Sequence, residues 1–332
     1  MAQLVAAVGT SHTPLLVTDV ELWPMLAERD RTNPILYDNE GTHRSYDELA
    51  LAAGDRFADV VTPARLAELH AGCHAALDRL AADLAAAQPD VVIIVGDDQH
   101  ELFNSSNQPA IAIGWAEQLA TGRSTSPPSP LNNQIKLGYA MDVATVFPGQ
   151  PDLAKALITG LMEQGFDVAS AAGGAPVEGG HTGYGHAYGF VLKRLLRDRT
   201  IPVVPILLNT FYPPNQPSAA RCHDFGRALG RVIANLAGPT RIALVASGGL
   251  SHFVVDERLD EIVVGALQSG DGSGLRSLPA HLLEAGSSEI RNWIAVAGAV
   301  EGRPVDWLTY LPVRRSPAGT GVGCAFASWS LD

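Results

Sequence analysis

Residues 91–100 read VVIIVGDDQH, five β-branched residues followed at once by a glycine, two acids, an amide and an imidazole. An unbroken apolar run of this length is typical of a strand that is covered on both faces of its sheet. Similar runs, each closed by Gly, Asn, Asp or Ser, occur at 4–8, 110–113, 203–208 and 242–245. The pattern therefore predicts several buried strands.

Helical patterns separate these runs. The clearest spans 63–87, where leucines and alanines recur at the spacing of one helix face. Further helices are predicted at 153–164, 188–197, 219–236 and 288–299. Helices that alternate with buried strands indicate an α/β fold in which helices flank a central mixed sheet. No segment resembles a domain boundary, so we expect a single domain over 1–332.

The segment 17–62 fits this pattern least, because it is polar and rich in turn residues. We predict an irregular insertion that serves as a lid or an oligomer contact, as long loops in compact domains often do. Apolar residues without a clear place in the sheet lead us to expect a homo-oligomer, a dimer or larger. They are Leu22, Trp23, Met25, Ile35, Leu36 and Tyr37.

The composition excludes several classes of function. The 332 residues carry 23 Lys+Arg against 35 Asp+Glu, a net charge of −12, so the basic surface that binds nucleic acid is missing. No apolar run approaches the roughly 20 residues of a membrane span, and the N-terminus lacks the basic region of a signal peptide. Three cysteines without CxxC spacing indicate a reducing compartment. We expect a cytoplasmic protein without nucleic-acid or membrane partners.

Three of the ten histidines follow predicted strands directly, namely His12, His100 and His252. Ligands of α/β sheets bind beyond the carboxyl ends of the strands, so these positions predict a functional site. His181 and His186 lie in the glycine-rich stretch EGGHTGYGH, and local sequence does not rank one above the other.

Glu289 follows two serines at the start of a predicted helix. An acid there also complements the helix dipole, so spacing alone leaves its role open. GxSxG, GxxxxGK[ST] and a GxGxxG that opens a helix are absent from the sequence, which removes the common hydrolase, NTPase and dinucleotide-binding interpretations.

Three motifs in this order resemble the class III extradiol ring-cleaving dioxygenases, the family of the protocatechuate 4,5-dioxygenase β subunit. They are SHTP at 11–14, SGGLSH at 247–252 and the ExxxW pattern that joins Glu289 to Trp293. The resemblance covers most of the chain, including PDVVIIVGDDQHELF at 89–103. The long 17–62 segment and the GDDQHELF form are similar to the methylgallate-type branch.

The resemblance implies a mononuclear non-haem Fe(II) held by two histidines and one glutamate, with open positions for an aromatic diol and O₂. His12 matches the first histidine ligand and Glu289 the carboxylate ligand. His252 matches the acid–base histidine beside the metal, and His186 matches a pocket histidine near the substrate. The implied reaction is O₂-dependent opening of a catechol- or gallate-like ring.

One position departs from the family pattern. The second histidine ligand of the family commonly ends an NDH motif, and without a gap that position is Gln99, one residue before His100. We predict His100 as the third ligand because imidazole suits Fe(II) better than an amide oxygen, with Gln99 as the alternative. Two other functions stay open: a zinc hydrolase built on the same cluster, and a non-catalytic homologue or partner subunit that has lost a ligand.

Overall fold

All five predicted strands form, and they lie side by side in one sheet. The structure is a computed structural model that describes residues 1–172, 182–197 and 199–331. Its strands are β1 (Gln3–Thr10), β2 (Leu36–Tyr37), β3 (His43–Arg44), β4 (Val91–Asp97), β5 (Ile111–Gly114), β6 (Gln118–Ala120), β7 (Val146–Pro148), β8 (Ala169–Ala171), β9 (Val203–Leu208), β10 (Arg241–Ser247), β11 (His252–Val254), β12 (Trp307–Arg314) and β13 (Thr320–Ser330).

The helices alternate with these strands as predicted. They are α1 (Trp23–Asp30), α2 (Tyr46–Ala53), α3 (Pro63–Ala86), α4 (Pro130–Gly138), α5 (Pro151–Glu163), α6 (His186–Phe190), α7 (Ala219–Asn235), α8 (Glu257–Ser269), α9 (Ser273–Arg276) and α10 (Ile290–Ala299). A π-helical segment, Val191–Leu196, continues α6, and a short 3₁₀ segment, Ala285–Glu289, precedes α10.

Within the described ranges, nine strands form one mixed sheet in the order β11-β13-β1-β10-β4-β9-β5-β8, with β12 paired to β13. The central neighbours β1, β10, β4 and β9 run parallel, whereas β13 is antiparallel to β1 and β5 is antiparallel to β9. The predicted α/β fold, a single domain with a central mixed sheet flanked by helices, is confirmed.

Strand β4 is buried on both faces, as its unbroken apolar run predicts. Val91, Ile93 and Val95 face the core that contains α5, α7 and α10. Val92 and Ile94 face the opposite core, which contains α3 and α6. The strand therefore lies in the centre of the sheet, and the polar residues that begin at Asp97 follow directly after its apolar run.

The sequence prediction missed the C-terminal strands β12 and β13. Strand β13 contains two glycines and several small residues, which weaken the local signal for a strand. Strand β13 is stabilised instead by its pairing with β1, β11 and β12 and by the burial of nearly all of its residues.

The segment 17–62 is not irregular, which corrects the prediction. It contains α1, the β2–β3 pair and α2, and Ser45 and Glu48 form a capping box at the start of α2. Trp23 and Leu36 are fully buried within the chain, and among the six apolar residues noted above only Met25 is exposed. Most of the apolar surface that motivated an oligomer contact is thus covered by the chain itself.

None of the described helices has the length and apolar character needed to cross a membrane.

The contact between β1 and α10 can be tested by a substitution at Gly9. A Cβ atom at Gly9 would lie 2.1 Å from Cζ3 of Trp293, a fully buried side chain whose Nε1 donates to the Gly248 carbonyl. We expect Gly9→Ala to lower the free energy of unfolding by roughly 1–3 kcal/mol, because the methyl group overpacks the core. Urea unfolding measures this change.

The matched control is Gly265→Ala in α8, where no atom lies within 4 Å of the added methyl group. That variant is expected to keep or gain stability, since alanine favours a helix over glycine by about 1 kcal/mol. Equal midpoints for Gly9→Ala and the natural protein would contradict the proposed contact.

Candidate active site

The carboxyl ends of three neighbouring parallel strands create the site. Strands β1, β10 and β4 lie side by side, and the chain leaves them at Thr10, Ser247 and Asp97. His12 follows β1 by two residues, and Gln99 follows β4 by two. This is the edge at which the rule for ligand sites in α/β sheets predicts a functional site.

His12 is buried, and its tautomer is fixed by two hydrogen bonds. The Ser247 hydroxyl donates to the Ala187 carbonyl at 2.7 Å, so its oxygen accepts the Nδ1–H of His12 at 3.0 Å. In the neutral ring the other nitrogen, Nε2, then carries a lone pair. Among the described residues this buried Nε2 has no hydrogen-bond partner. Such an imidazole is prepared to bind a cation.

Glu289 ends the short 3₁₀ segment before α10 and turns inward, so it does not merely complement the helix dipole. Its Oε2 accepts the Gly249 N–H at 2.8 Å and lies 3.1 Å from His12 Nε2. Burial opposes ionisation, but His12 and His252, when they carry a proton, hold the pKa of this carboxyl well below its usual range. A carboxylate oxygen and a nitrogen lone pair at this distance repel each other unless a cation or a proton lies between them.

His252 faces the same carboxylate from β11. Its Nδ1 donates to the Leu250 carbonyl at 2.8 Å, and its Nε2 lies 3.2 Å from Glu289 Oε1. Burial would lower the pKa of His252, but the Glu289 carboxylate raises it above its ordinary value.

His186 begins α6 and lies at the rim of the cluster. Its Nδ1 is 2.5 Å from Glu101 Oε1, and its ring centroid is 4.7 Å from that of His12. Burial alone would lower the pKa of His186, but the Glu101 carboxylate raises it to about 10. His181, the other candidate in this stretch, lies outside the described residues.

Asp97 is a member of the cluster that the sequence analysis did not predict as a metal ligand. Its side chain is fully buried, and ligand atoms of His12, Asp97, His186 and Glu289 all lie within 4.8 Å of one another. That spacing suits a single metal ion with bonds of about 2.0–2.2 Å. The available signal was alternation along the strand, because residues 97 and 99 share a face.

His100 lies outside the cluster, which corrects its predicted position. It is exposed, its φ is 68°, and its ring stacks on Tyr212 with centroids 3.7 Å apart. Adjacent residues on extended chain point to opposite sides, and the left-handed turn at His100 leads the chain outward. Gln99 faces the site instead, with its Nε2 3.4 Å from Glu289 Oε1 and 3.3 Å from Asp97 Oδ2.

Three members of the cluster, His12, His186 and Glu289, line a cavity of about 530 Å³. Part of the 17–62 segment forms one wall, including Leu26, Arg29 and Pro34. Arg315 also lines the cavity, but its guanidinium is bound by Asp30 through two contacts of 2.7 Å. The insertion therefore contributes directly to the site.

Comparison with known proteins identifies the family. The family model described as the catalytic LigB subunit of aromatic ring-opening dioxygenase matches residues 61–324. The chain belongs to this family. The resemblance noted in the sequence is thereby confirmed, whereas the methylgallate branch stays a prediction. The LigB family is metal-dependent, and the cluster around His12 is the candidate metal-binding group.

Curated relatives carry the name 2,3-dihydroxyphenylpropionate/2,3-dihydroxicinnamic acid 1,2-dioxygenase. The relative from Comamonas testosteroni is 31% identical over 189 residues, which cover 54% of this chain and 50% of that protein. The relative from Azotobacter vinelandii (strain DJ / ATCC BAA-1303) is 28% identical over 187 residues, covering 56% and 51%. The chain thus spans about half the length of these relatives.

A buried acid supports the turn that carries His252. Asp260 of α8 accepts hydrogen bonds from the backbone N–H and the hydroxyl of Ser251 and from the Tyr310 hydroxyl, each at 2.7 Å. Burial raises the pKa of Asp260 to about 6, against the opposing effect of these hydrogen bonds.

This raised pKa predicts a pH dependence of stability. Asp260 becomes protonated below about pH 6 in the folded chain but only below about pH 4 in the unfolded chain. Between these two pH values the folded chain binds the proton more tightly, so the contribution of Asp260 to stability rises as the pH falls. Asp260→Asn lacks the effect. We expect the stability of the natural protein relative to the variant to increase by roughly 2 kcal/mol between pH 7 and 4.

Urea unfolding of both proteins between pH 7 and 4 measures the difference in their free energies of unfolding. Groups that titrate alike in both proteins do not contribute to this difference. A constant difference would show that Asp260 titrates alike in the folded and unfolded chains.

Proposed function

We propose that the protein is an Fe(II)-dependent extradiol dioxygenase that opens a catechol- or gallate-like ring with O₂. The observation that supports this most is the unpaired Nε2 of His12, buried beside the Glu289 carboxylate in the cavity of a ring-opening dioxygenase fold. These donors suit a divalent metal that also needs open positions for ligands.

The residues fit the metal that the family implies. His12 offers a neutral imidazole nitrogen in the correct tautomer, and Glu289 offers a carboxylate at 3.1 Å. Together they would hold the iron, with a further donor from the carboxyl end of β4. When bound, iron acidifies the ring hydroxyls and transfers electrons between the ring and O₂.

His252 is the proposed proton-transfer residue. Its Nδ1–H is committed to the Leu250 carbonyl, so protons are gained and lost at Nε2, which faces the cluster. That atom would accept a proton from a ring hydroxyl and return it when the carbon–carbon bond breaks. His186, oriented by Glu101, presents its own Nε2 to the same space and would donate a hydrogen bond to a substrate oxygen.

The decisive experiment is anaerobic loading with Fe(II), followed by O₂ uptake with protocatechuate, gallate, methylgallate and simple catechols. We expect one of these rings to be opened with consumption of one O₂ per ring. His252→Phe keeps a ring of similar shape, so it should still bind iron but lose roughly 10²–10⁴ in rate. Loss of iron from that variant would refute its proposed role.

Gln99 favours a second candidate, a non-catalytic homologue that has lost a histidine ligand. Failure to retain iron, together with no O₂ uptake on any of the rings, would support this candidate over the dioxygenase, whereas stoichiometric iron would eliminate it. A zinc hydrolase is the third, and tight zinc retention with hydrolytic activity would identify it.

The cavity also favours an acidic substituent on the substrate. Arg29 lines it and donates to Asn132 Oδ1 at 2.6 Å, and within the described part of the chain no carboxylate pairs with this guanidinium. The curated relatives are named for an acid of this type, 2,3-dihydroxyphenylpropionate. We propose a catechol that carries a carboxylate, bound by Arg29.

Replacing Arg29 by Gln should raise KM for a carboxylated catechol by roughly tenfold or more, because a charge-assisted hydrogen bond is lost, while KM for unsubstituted catechol changes little. Arg31→Gln is the control, since Arg31 pairs with Glu28 and does not line the cavity. Equal effects of Arg29→Gln on both substrates would contradict the proposed contact.

The cytoplasmic location and the homo-oligomeric state remain part of this proposal. The three cysteines, Cys73, Cys222 and Cys324, are buried free thiols, as a reducing compartment favours. The exposed side chains of Met25 and Leu51 leave some apolar surface on the 17–62 segment for a second copy.

A further inference from the structure

We propose that Asp97 takes over the metal-ligand role of the histidine that this chain lacks, so that His12, Asp97 and Glu289 hold the metal. The proposal rests on the proposed function only in that it places a resident metal at this site.

The position of Asp97 supports the assignment. Its carboxylate is fully buried and lies between the two histidines, with Oδ1 3.9 Å from His12 Nε2 and Oδ2 3.7 Å from His186 Nε2. Asp97 is the last residue of β4 and pairs with Leu208 of β9, so the carboxylate is held on a rigid element.

The carboxylate of Asp97 is poorly satisfied by the protein. Its hydrogen-bond donors are the side-chain amides of Asn292 and Gln99, at 3.4 and 3.3 Å. In the described part of the chain no arginine or lysine pairs with it, and the nearest imidazole nitrogens, Nε2 of His12 and of His186, are 3.9 and 3.7 Å away, beyond hydrogen-bond distance. A buried charge needs close partners, and weak contacts of this length supply little. A divalent cation among His12, Asp97 and Glu289 would meet this need.

The contacts of Gln99 explain why it is not the ligand. Its Nε2 points toward Asp97 and toward Glu289, so the amide joins the two carboxylates and orients them. Metal sites commonly use such outer contacts to hold their ligands in place. An amide oxygen is also a neutral donor, whereas an aspartate supplies negative charge.

The remaining histidine, His186, is engaged differently. Its Nδ1 is bound by Glu101, which positions the ring at the rim of the cluster, where it faces the space for substrate. Two carboxylates already compensate the charge of a divalent ion, and carboxylate oxygen suits Mn²⁺ well among the transition metals. Mn²⁺ therefore serves as a probe that needs no O₂.

The test is Mn²⁺ titration followed by electron paramagnetic resonance, with anaerobic Fe²⁺ binding in parallel. Asp97→Asn keeps the size of the side chain but removes its charge, and we expect it to weaken binding of both ions at least 100-fold. Gln99→Ala should weaken binding by about tenfold, the smaller loss typical of an outer contact.

Asp98→Asn is the matched control. Asp98 is the adjacent buried acid, but it accepts the backbone N–H groups of Leu102 and Phe103 and does not face the cluster. This variant should bind Mn²⁺ like the natural protein, and thermal unfolding verifies that each variant is folded. The double variant Asp97→Asn/Gln99→His restores an imidazole at the family position and should recover binding.

Several results would overturn the assignment. It is wrong if Asp97→Asn binds Mn²⁺ as tightly as the natural protein, because Gln99 or His186 would then be the third ligand. It is also wrong if the double variant folds but stays as weak as Asp97→Asn, since the defect would then be structural. If the natural protein binds one ion through Asp97 but consumes no O₂ with any ring, the assignment stands and the dioxygenase function fails.

Discussion

The contact between His12 and Glu289 is the constraint around which the site is built. Two hydrogen bonds fix the tautomer of His12, so its Nε2 lone pair points at a carboxylate oxygen 3.1 Å away. The pair is buried, and the fold holds it from three directions, through Ser247 on β10, Gly249 beyond β10 and the short segment before α10. The arrangement becomes favourable when a cation lies between the two atoms, because it replaces repulsion between two electron pairs with coordination.

Helix α10 transmits this constraint to the sheet. Trp293 lies against Gly9 of β1 and donates to the Gly248 carbonyl, while Asn292 donates to the Ser247 carbonyl and approaches Asp97. The first turn of α10 is thus attached to the ends of the same three strands that carry the cluster. Rigid attachment of this kind keeps ligand atoms within the small tolerance that metal coordination requires.

The cavity has two parts, the cluster at the ends of the strands and a wall formed by the 17–62 segment. The fold supplies the cluster of imidazoles and carboxylates, whereas α1 supplies Leu26 and Arg29 and the segment after it supplies Pro34. Within one fold, chemistry at the strand ends and selectivity from an added segment are separable. The departure from the family pattern at Gln99 concerns the chemistry at the strand ends. The exposed guanidinium of Arg29 concerns the selectivity for substrate.

The sequence by itself determined the class of fold and the family, and it predicted the edge of the sheet that carries the candidate site. Buried strands have unbroken apolar runs, and motifs such as SGGLSH are local, so both can be read residue by residue. Only the tertiary structure decided that Asp97 and Gln99 face the cluster while His100 stacks on Tyr212. The direction of a side chain after a strand depends on where the chain leaves the sheet, and His100, whose backbone is left-handed, stacks on a residue distant in sequence. The strand β13 was missed for the same reason, since its pairing partners, and not its own residues, stabilise it.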